Sequence, residues 1–342
     1  MLLEKLTSLN GVSGNEDAVR NFIKEEIKDH VDEIKIDRLG NLIAIKHGKE
    51  NYPKVMLSAH MDEVGLMVKS INDKGFVKFL KVGGIDDKVL VSKPVSIGDK
   101  KITGVIGAKA IHLQTPKERT VPLKSKDLYI DIGAKSKDDG KKHVSPGDYI
   151  CFLSDYVEFG DDLIKAKALD DRAGCAIIMD LLKNNYDSTI YAVFSVQEEV
   201  GLRGAAPYSY RLDSDLAIVI ETTSCFDLDK VEEPDFVTKM HGGPAFSVLD
   251  RVTYYSKAVT NRLIGVAKDN NISYQFKQVP KGGNDSGQIH LSKNGIPTAC
   301  ISMPCRYLHS PVSVISKRDF NNSKKLLDEF LKDIKKEEFV NV

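Results

Sequence analysis

The stretch VMLSAHMD, residues 55–62, decides the fold. Its apolar run ends abruptly in His60 and Asp62, side chains that bind metals or move protons. The pattern recurs. IYAVFSVQEE (190–199) ends in Glu198 and Glu199, and LAIVIE (216–221) ends in Glu221. IPTACISM (296–303) leads through a short loop to His309. Such continuous apolar runs read as strands buried on both faces. In open α/β sheets, ligands bind outside the carboxyl ends of the strands. The polar residues are therefore expected to gather along one sheet edge.

Helices alternate with these strands, which implies an α/β sheet covered on both faces. Ser13 and Glu16 have capping-box spacing. Val19, Phe22, Ile23, Ile27 and Val31 then follow on one helical face. A strand pair is expected across 31–48, with Gly40 and Asn41 at its turn. Asp171 is placed to cap a helix over AGCAIIMDLLK. A final helix is expected near Ser316, again with box spacing to Asp319. Its apolar face uses Phe320, Leu327, Phe330, Leu331 and Ile334.

From about Gly65 to Asp155 the texture differs. Short alternating runs are broken by turn signals such as Asn72-Asp73-Lys74-Gly75, and helical periodicity is absent. This predicts a small all-β domain of hairpins over residues 66–155, inserted in a main domain formed by 1–65 and 156–342. His112 to Lys126, with Pro116 and Pro122, reads as an exposed loop.

Composition narrows the partners. The 342 residues carry 49 Lys plus Arg against 49 Asp plus Glu, a formal net charge of zero. No global field draws the chain to nucleic acid or to a membrane. No run reaches the ~18–20 apolar residues that cross a bilayer. Glu4 interrupts the apolar start, so no signal peptide is expected. The five cysteines are odd in number and form no CxxC pair. That pattern favours reduced thiols in a cytoplasmic protein.

Each candidate side chain also has a plainer reading. His60 and Asp62 are two apart and face the same way on a strand, so one can bind a metal while the other fixes the imidazole. They are equally a surface histidine and a solvated acid. Either Asp170 or Asp171 suffices as a helix cap, which leaves one carboxylate spare. Glu198 and Glu199 repel each other at a buried edge unless a cation offsets them. One would then ligate and the other accept a proton from water. Glu221 at the end of an apolar strand needs a partner, which a salt bridge would also supply. His309 by itself is a common satisfied histidine. Jointly, the set contains what a two-metal centre needs: a bridging carboxylate, two further ligands per metal and a free base. Histidine and carboxylate ligands without cysteine suit Zn²⁺, with Co²⁺ or Mn²⁺ as alternatives.

These residues resemble the M42 aminopeptidases, the family that includes the TET peptidases and glutamyl aminopeptidases. The matching motifs are Ser58-Ala59-His60-Met61-Asp62-Glu63-Val64-Gly65, Ala168-Leu169-Asp170-Asp171-Arg172, Val196-Gln197-Glu198-Glu199-Val200-Gly201 and Arg306-Tyr307-Leu308-His309-Ser310-Pro311. Gly282-Gly283-Asn284-Asp285 is similar to the family's Gly-Gly-Thr-Asp loop. The resemblance covers nearly the whole chain. It implies a zinc-peptidase-like mixed sheet covered by helices, and a cytoplasmic enzyme that removes N-terminal residues from short peptides. It implies that Asp170 bridges two divalent ions. His60 and Glu221 complete one site, and Glu199 and His309 the other. Glu198 is the implied general base, Asp62 orients His60, and a cis peptide joins Asp170 to Asp171. It further implies dimers that build a tetrahedral dodecamer through the inserted β domain.

Two positions depart from the family. Glu221 stands where Asp is usual, and Ser313 stands where a Glu often follows the histidine. They leave a catalytically weakened scaffold as one alternative reading. A glycoside hydrolase of endoglucanase type is another, since paired carboxylates can cleave glycosides. That chemistry gives no work to His60 or His309, and the chain has no Trp on which to stack a sugar.

Overall fold

The structure, a computed structural model, describes residues 2–335. Its helices are α1 (Leu2–Ser8), α2 (Asp17–Ile27), α3 (Pro116–Thr120), α4 (Lys137–Gly140), α5 (Leu169–Leu181), α6 (Ala205–Arg211), α7 (Lys257–Asp269), α8 (Ser286–Ile289) and α9 (Lys317–Asp333). The strands up to the middle of the chain are β1 (Glu33–Ile36), β2 (Leu42–Lys46), β3 (Lys54–His60), β4 (Gly65–Ile71), β5 (Val77–Val82), β6 (Pro94–Ile97), β7 (Ile102–Gly107), β8 (Tyr129–Asp131) and β9 (Tyr149–Phe152). The remaining strands are β10 (Val157–Phe159), β11 (Leu163–Ala166), β12 (Thr189–Ser195), β13 (Leu216–Ser224), β14 (Ala245–Phe246), β15 (Gln275–Phe276), β16 (Thr298–Arg306) and β17 (Ser313–Ser316).

The main sheet has the order β1-β2-β12-β3-β13-β16-β17-β11-β10, with β14 and β15 branching from β16. β12, β3, β13 and β16 are parallel neighbours. The flanking pairs are antiparallel. The parallel strands are the apolar runs that opened the sequence reading, and each is covered on both faces. Alternation along β3 sorts its side chains. Val55, Leu57 and Ala59 join the core cluster that also holds residues of α5, α7 and α9, with α5 lying against β3, whereas Met56 joins the cluster that holds residues of α6 and α8. Register then places the polar ends together, for Ser195 lies beside His60 and Glu221 beside Ser302.

β4-β5-β8-β7-β6-β9 close into a barrel with its own core, which includes Leu66, Val77, Val95, Ile130 and Ile150. Closure removes the free edges that short hairpins would otherwise expose. The fold is thus α/β with a small all-β barrel between β3 and β10, as the alternating texture predicts.

Several local expectations need correction. α2 begins at Asp17 without a side-chain cap. Ser13 Oγ instead donates to Asp62 Oδ2 at 2.6 Å, and Glu16 Oε1 accepts from Gly14 N. The pair serves tertiary contacts that outweigh a helix terminus. At α9, Ser316 Oγ does accept from Asp319 N, yet the Asp319 carboxylate takes the amides of His241 and Gly243. The exposed stretch 112–126 contains α3, closed by a full capping box between Thr115 and Glu118 with Pro116 in its first turn. Glu221 does not end its strand. β13 continues to Ser224 because Thr222, Thr223 and Ser224 extend the ladder with β16.

The N-terminal segment is fixed by buried cations. Arg172 Nη1 donates to Leu6 O, and Lys167 Nζ donates to Leu9 O and to Glu63 Oε1. Among the described residues, no helix is long and apolar enough to cross a membrane. All five cysteines are buried and unpaired.

Candidate metal centre

Four strands, two of them through the turns that follow, and one helix start supply the site. β3 ends in His60, which is 2% exposed. Asp170 and Asp171 precede the regular part of α5, and a cis peptide joins them. The turn after β12 carries Glu198 and Glu199, β13 carries Glu221, and the turn after β16 carries His309.

Asp170 lies at the middle. Its Oδ1 is 3.4 Å from His60 Nε2, and its Oδ2 is 3.3 Å from His309 Nε2. Glu221 Oε1 lies 3.6 Å from His60 Nε2, and Glu199 Oε2 lies 3.4 Å from His309 Nε2. The arrangement has two lobes that share one carboxylate. Tetrahedral zinc with bonds of ~2.1 Å has ligand–ligand edges of about 3.4 Å. The observed separations match such an edge.

Each imidazole is oriented from behind. His60 Nδ1 faces Asp62 O at 3.0 Å, and His309 Nδ1 faces Gly84 O at 3.1 Å. A carbonyl only accepts, so each Nδ1 carries the proton and Nε2 is left to ligate. Gly84 lies against this ring, where a Cβ would stand 3.4 Å from Nδ1. Asp62 does more than face His60. Its Oδ1 accepts from Glu198 N at 3.0 Å and its Oδ2 from Glu199 N at 3.1 Å.

The electrostatics call for a cation. Asp170 Oδ1, Asp171 Oδ2 and Glu199 Oε1 are buried without hydrogen-bond partners. In the metal-free chain, burial, with neighbouring acids adding to it, pushes Glu198 and Glu221 well above the usual carboxylate range. Burial likewise raises Glu199 to about 7. Asp170 moves the other way. Against the cost of burial, the His309 and His60 imidazoles hold it below that range. Burial opposes charge on His60, yet Glu221, Asp170 and Asp62 hold its imidazole charged; an arriving metal displaces such protons. Donor set, spacing and orphaned oxygens all fit divalent ions.

Asp171 also belongs to this cluster, for it lies with His60 and Glu221 in a group able to hold an ion. Its Oδ1 accepts from Gly174 N at 3.0 Å, the cap the sequence led us to expect, while Oδ2 is left over. Two further buried acids, Asp285 and Glu16, lie behind the site. Asp285 accepts from Ser195 Oγ at 2.5 Å and from Tyr208 Oη, and burial raises it to about 6. Its position after Gly282-Gly283-Asn284 was the available signal.

The cluster opens into a cavity of about 900 Å³ at the junction of sheet edge and barrel, lined by His60, Asp170, Glu198, Glu221 and His309. Lys88 and Lys93 from the barrel side, and Lys277 and Lys281 from the loop after β15, also line it.

A family model described as M42 glutamyl aminopeptidase matches residues 40–326. A putative aminopeptidase of Acetivibrio thermocellus is 45% identical over 330 residues, or 96% of this chain and 97% of its own. Among solved structures, an aminopeptidase of the archaeon Desulfurococcus kamchatkensis has a TM-score of 0.95 at 34% identity, covering 100% of this chain and 96% of that one. The TET1 peptidase of Pyrococcus horikoshii, described as assembling into a tetrahedron or a large octahedral shell, has a TM-score of 0.86 at 33% identity over 97% and 98% of the two chains. A Thermotoga maritima structure described as an endoglucanase has a TM-score of 0.81 at 38% identity over 97% of each. The two-lobed cluster thus sits in a fold shared almost end to end with aminopeptidases, and the chain belongs to the M42 family as a peptide hydrolase of the aminopeptidase class.

Proposed function

We propose that this enzyme removes N-terminal residues from short peptides with two divalent ions, zinc first and cobalt or manganese as alternatives. His60, Asp170 and Glu221 would hold one ion; Asp170, Glu199 and His309 would hold the other. The observation that carries this reading is Asp170, whose two oxygens face different histidines at 3.4 and 3.3 Å. Bound ions of this class lower the pKa of a shared water and polarise the scissile carbonyl.

The chain's own residues do the rest. Glu198, lining the cavity beside the cluster, takes the attacking water's proton at its carboxylate and returns it to the leaving amine. Asp62 fixes both the His60 ring and the peptide that carries Glu198. The remaining carboxylate charge recognises the substrate's α-ammonium, which restricts cutting to the N-terminus. The lysines around the mouth favour peptides that bring a carboxylate.

Residues 66–155 act in this reading as an oligomerisation and lid unit, and chains pair into dimers that build a hollow shell. The shells described for the TET1 relative support that, and light scattering showing a stable monomer would count against it. Five unpaired thiols support a cytoplasmic setting.

Reconstitution tests the main claim. Metal-free protein should gain turnover of aminoacyl-p-nitroanilides with Zn²⁺, Co²⁺ or Mn²⁺ and lose it with EDTA. Undiminished turnover after EDTA, with the ions gone, would overturn it. The same assay separates the glycosidase reading, whose two-carboxylate chemistry needs no ion. A scaffold reading requires poor ion retention and no turnover.

A further inference from the structure

The turn that carries Glu198 is held by its backbone amides. Gln197 adopts φ +57°, a left-handed conformation unfavourable for a residue with a side chain. Within the turn, Gly201 N and Leu202 N bond back to Glu198 O, which closes the loop on itself. The amides of 197, 198 and 199 instead point outward, and each meets a carboxylate from a distant segment. Glu198 N and Glu199 N go to Asp62. Gln197 N goes to Glu16 Oε1 at 3.1 Å. Ser13, three residues before Glu16, holds Asp62 Oδ2 at 2.6 Å. One N-terminal segment therefore braces both ends of this row of amides.

Glu16 has no place in the chemistry itself. It is absent from the cavity lining and from the groups able to hold an ion. It is 3% exposed, and the same oxygen accepts from Gly14 N at 2.7 Å. Burial there raises its pKa to about 7, so the fold accepts an unfavourable acid at this spot. A helix start alone would need only a small polar cap at the surface.

We propose that Glu16 is a positioning residue for catalysis, whose Oε1 fixes Gln197 N and so sets the direction from which Glu198 reaches the attacking water. The proposal rests on Glu198 being the base. Glu16 works through its acceptor oxygen rather than its charge, so an amide at the same length is an adequate substitute.

The test uses full-length, metal-loaded Glu16→Ala, Glu16→Gln and Glu198→Gln, each with ion content, melting temperature, kcat and KM measured. Glu16→Ala should lower kcat by about tenfold or more with KM within about twofold, because a small misplacement of a reacting group is costly. Its ion content should stay at wild type. Glu16→Gln should recover kcat to within about threefold. If Glu16→Ala does not fold, Glu16→Asp replaces it; one methylene shorter, it should lose kcat at an unchanged melting temperature. Wild-type kcat in Glu16→Ala or Glu16→Asp overturns the proposal, and so does equal impairment of the Gln and Ala forms. An inactive Glu198→Gln beside a fully active Glu16→Ala defeats the positioning role alone. An active Glu198→Gln defeats the base assignment and this inference with it.

Discussion

Replacing Glu198 with Gln changes one atom's chemistry and almost nothing else. The residue is 9% exposed, and its backbone amide is anchored at 3.0 Å to Asp62, which the substitution leaves alone. The oxygens that face the imidazole Nε2 atoms belong to Asp170, Glu199 and Glu221, so both proposed ion sites keep their donors. A general base contributes about 10²–10⁴-fold to rate. That corresponds to about 3–5 kcal/mol of barrier. The expected variant holds two ions per chain by elemental analysis, binds substrate near the wild-type KM and loses kcat by about a hundredfold or more. A second effect has the opposite sign. Burial, with repulsion from Glu199, Asp285 and Asp62, holds the Glu198 carboxyl well above its usual range. In the metal-free state, an uncharged Gln removes that penalty, so the melting temperature at neutral pH should rise. The assay is reconstitution with Zn²⁺ followed by aminoacyl-p-nitroanilide turnover, beside thermal unfolding with and without EDTA. Retention of more than about a tenth of kcat would remove Glu198 from the base role.

Other perturbations probe the remaining parts. His309→Ala should lower ion content from two per chain to one, because only the lobe shared with Glu199 loses its nitrogen; elemental analysis and a competitive chelator titration report it. The metal-free protein should lose stability as pH rises from about 4 to 7. Burial raises Glu16 and Glu199 to about 7 and Asp285 to about 6, so the folded chain binds protons that the unfolded chain releases near its ordinary carboxylate values. Their stabilisation is complete below the unfolded pKa and gone above the folded one. Saturating Zn²⁺ should flatten that slope, which melting temperatures across the range will show. Lys277→Met should lower kcat/KM for Glu-p-nitroanilide by about tenfold or more, as loss of a charged hydrogen bond of ~1.5–3 kcal/mol implies. Leu-p-nitroanilide should change little, and a uniform loss across substrates would refute the role.

What the sequence disclosed was local. His60, Glu199, Glu221 and His309 were legible because each follows or interrupts an apolar strand run, where a charged or metal-binding side chain needs a reason. The barrel was legible from alternation and turn residues. Ser13 and Glu16 were misread because capping-box spacing is also local, while their partners Asp62 and Gln197 lie far along the chain. Asp171 satisfied the cap reading with one oxygen, and nothing in the sequence announced the second. The end of β13 was misplaced by three residues because pairing with β16, rather than hydropathy, decides where that strand stops.

The carbonyl of Gly84 comes from the barrel side of the molecule, yet it orients the His309 ring. The barrel is therefore no exchangeable cassette. An engineer who excised it, or grafted a foreign module between Asp62 and the strands that resume at β10, would leave His309 Nδ1 without this acceptor. Any transplant has to carry that single peptide oxygen back to the same place.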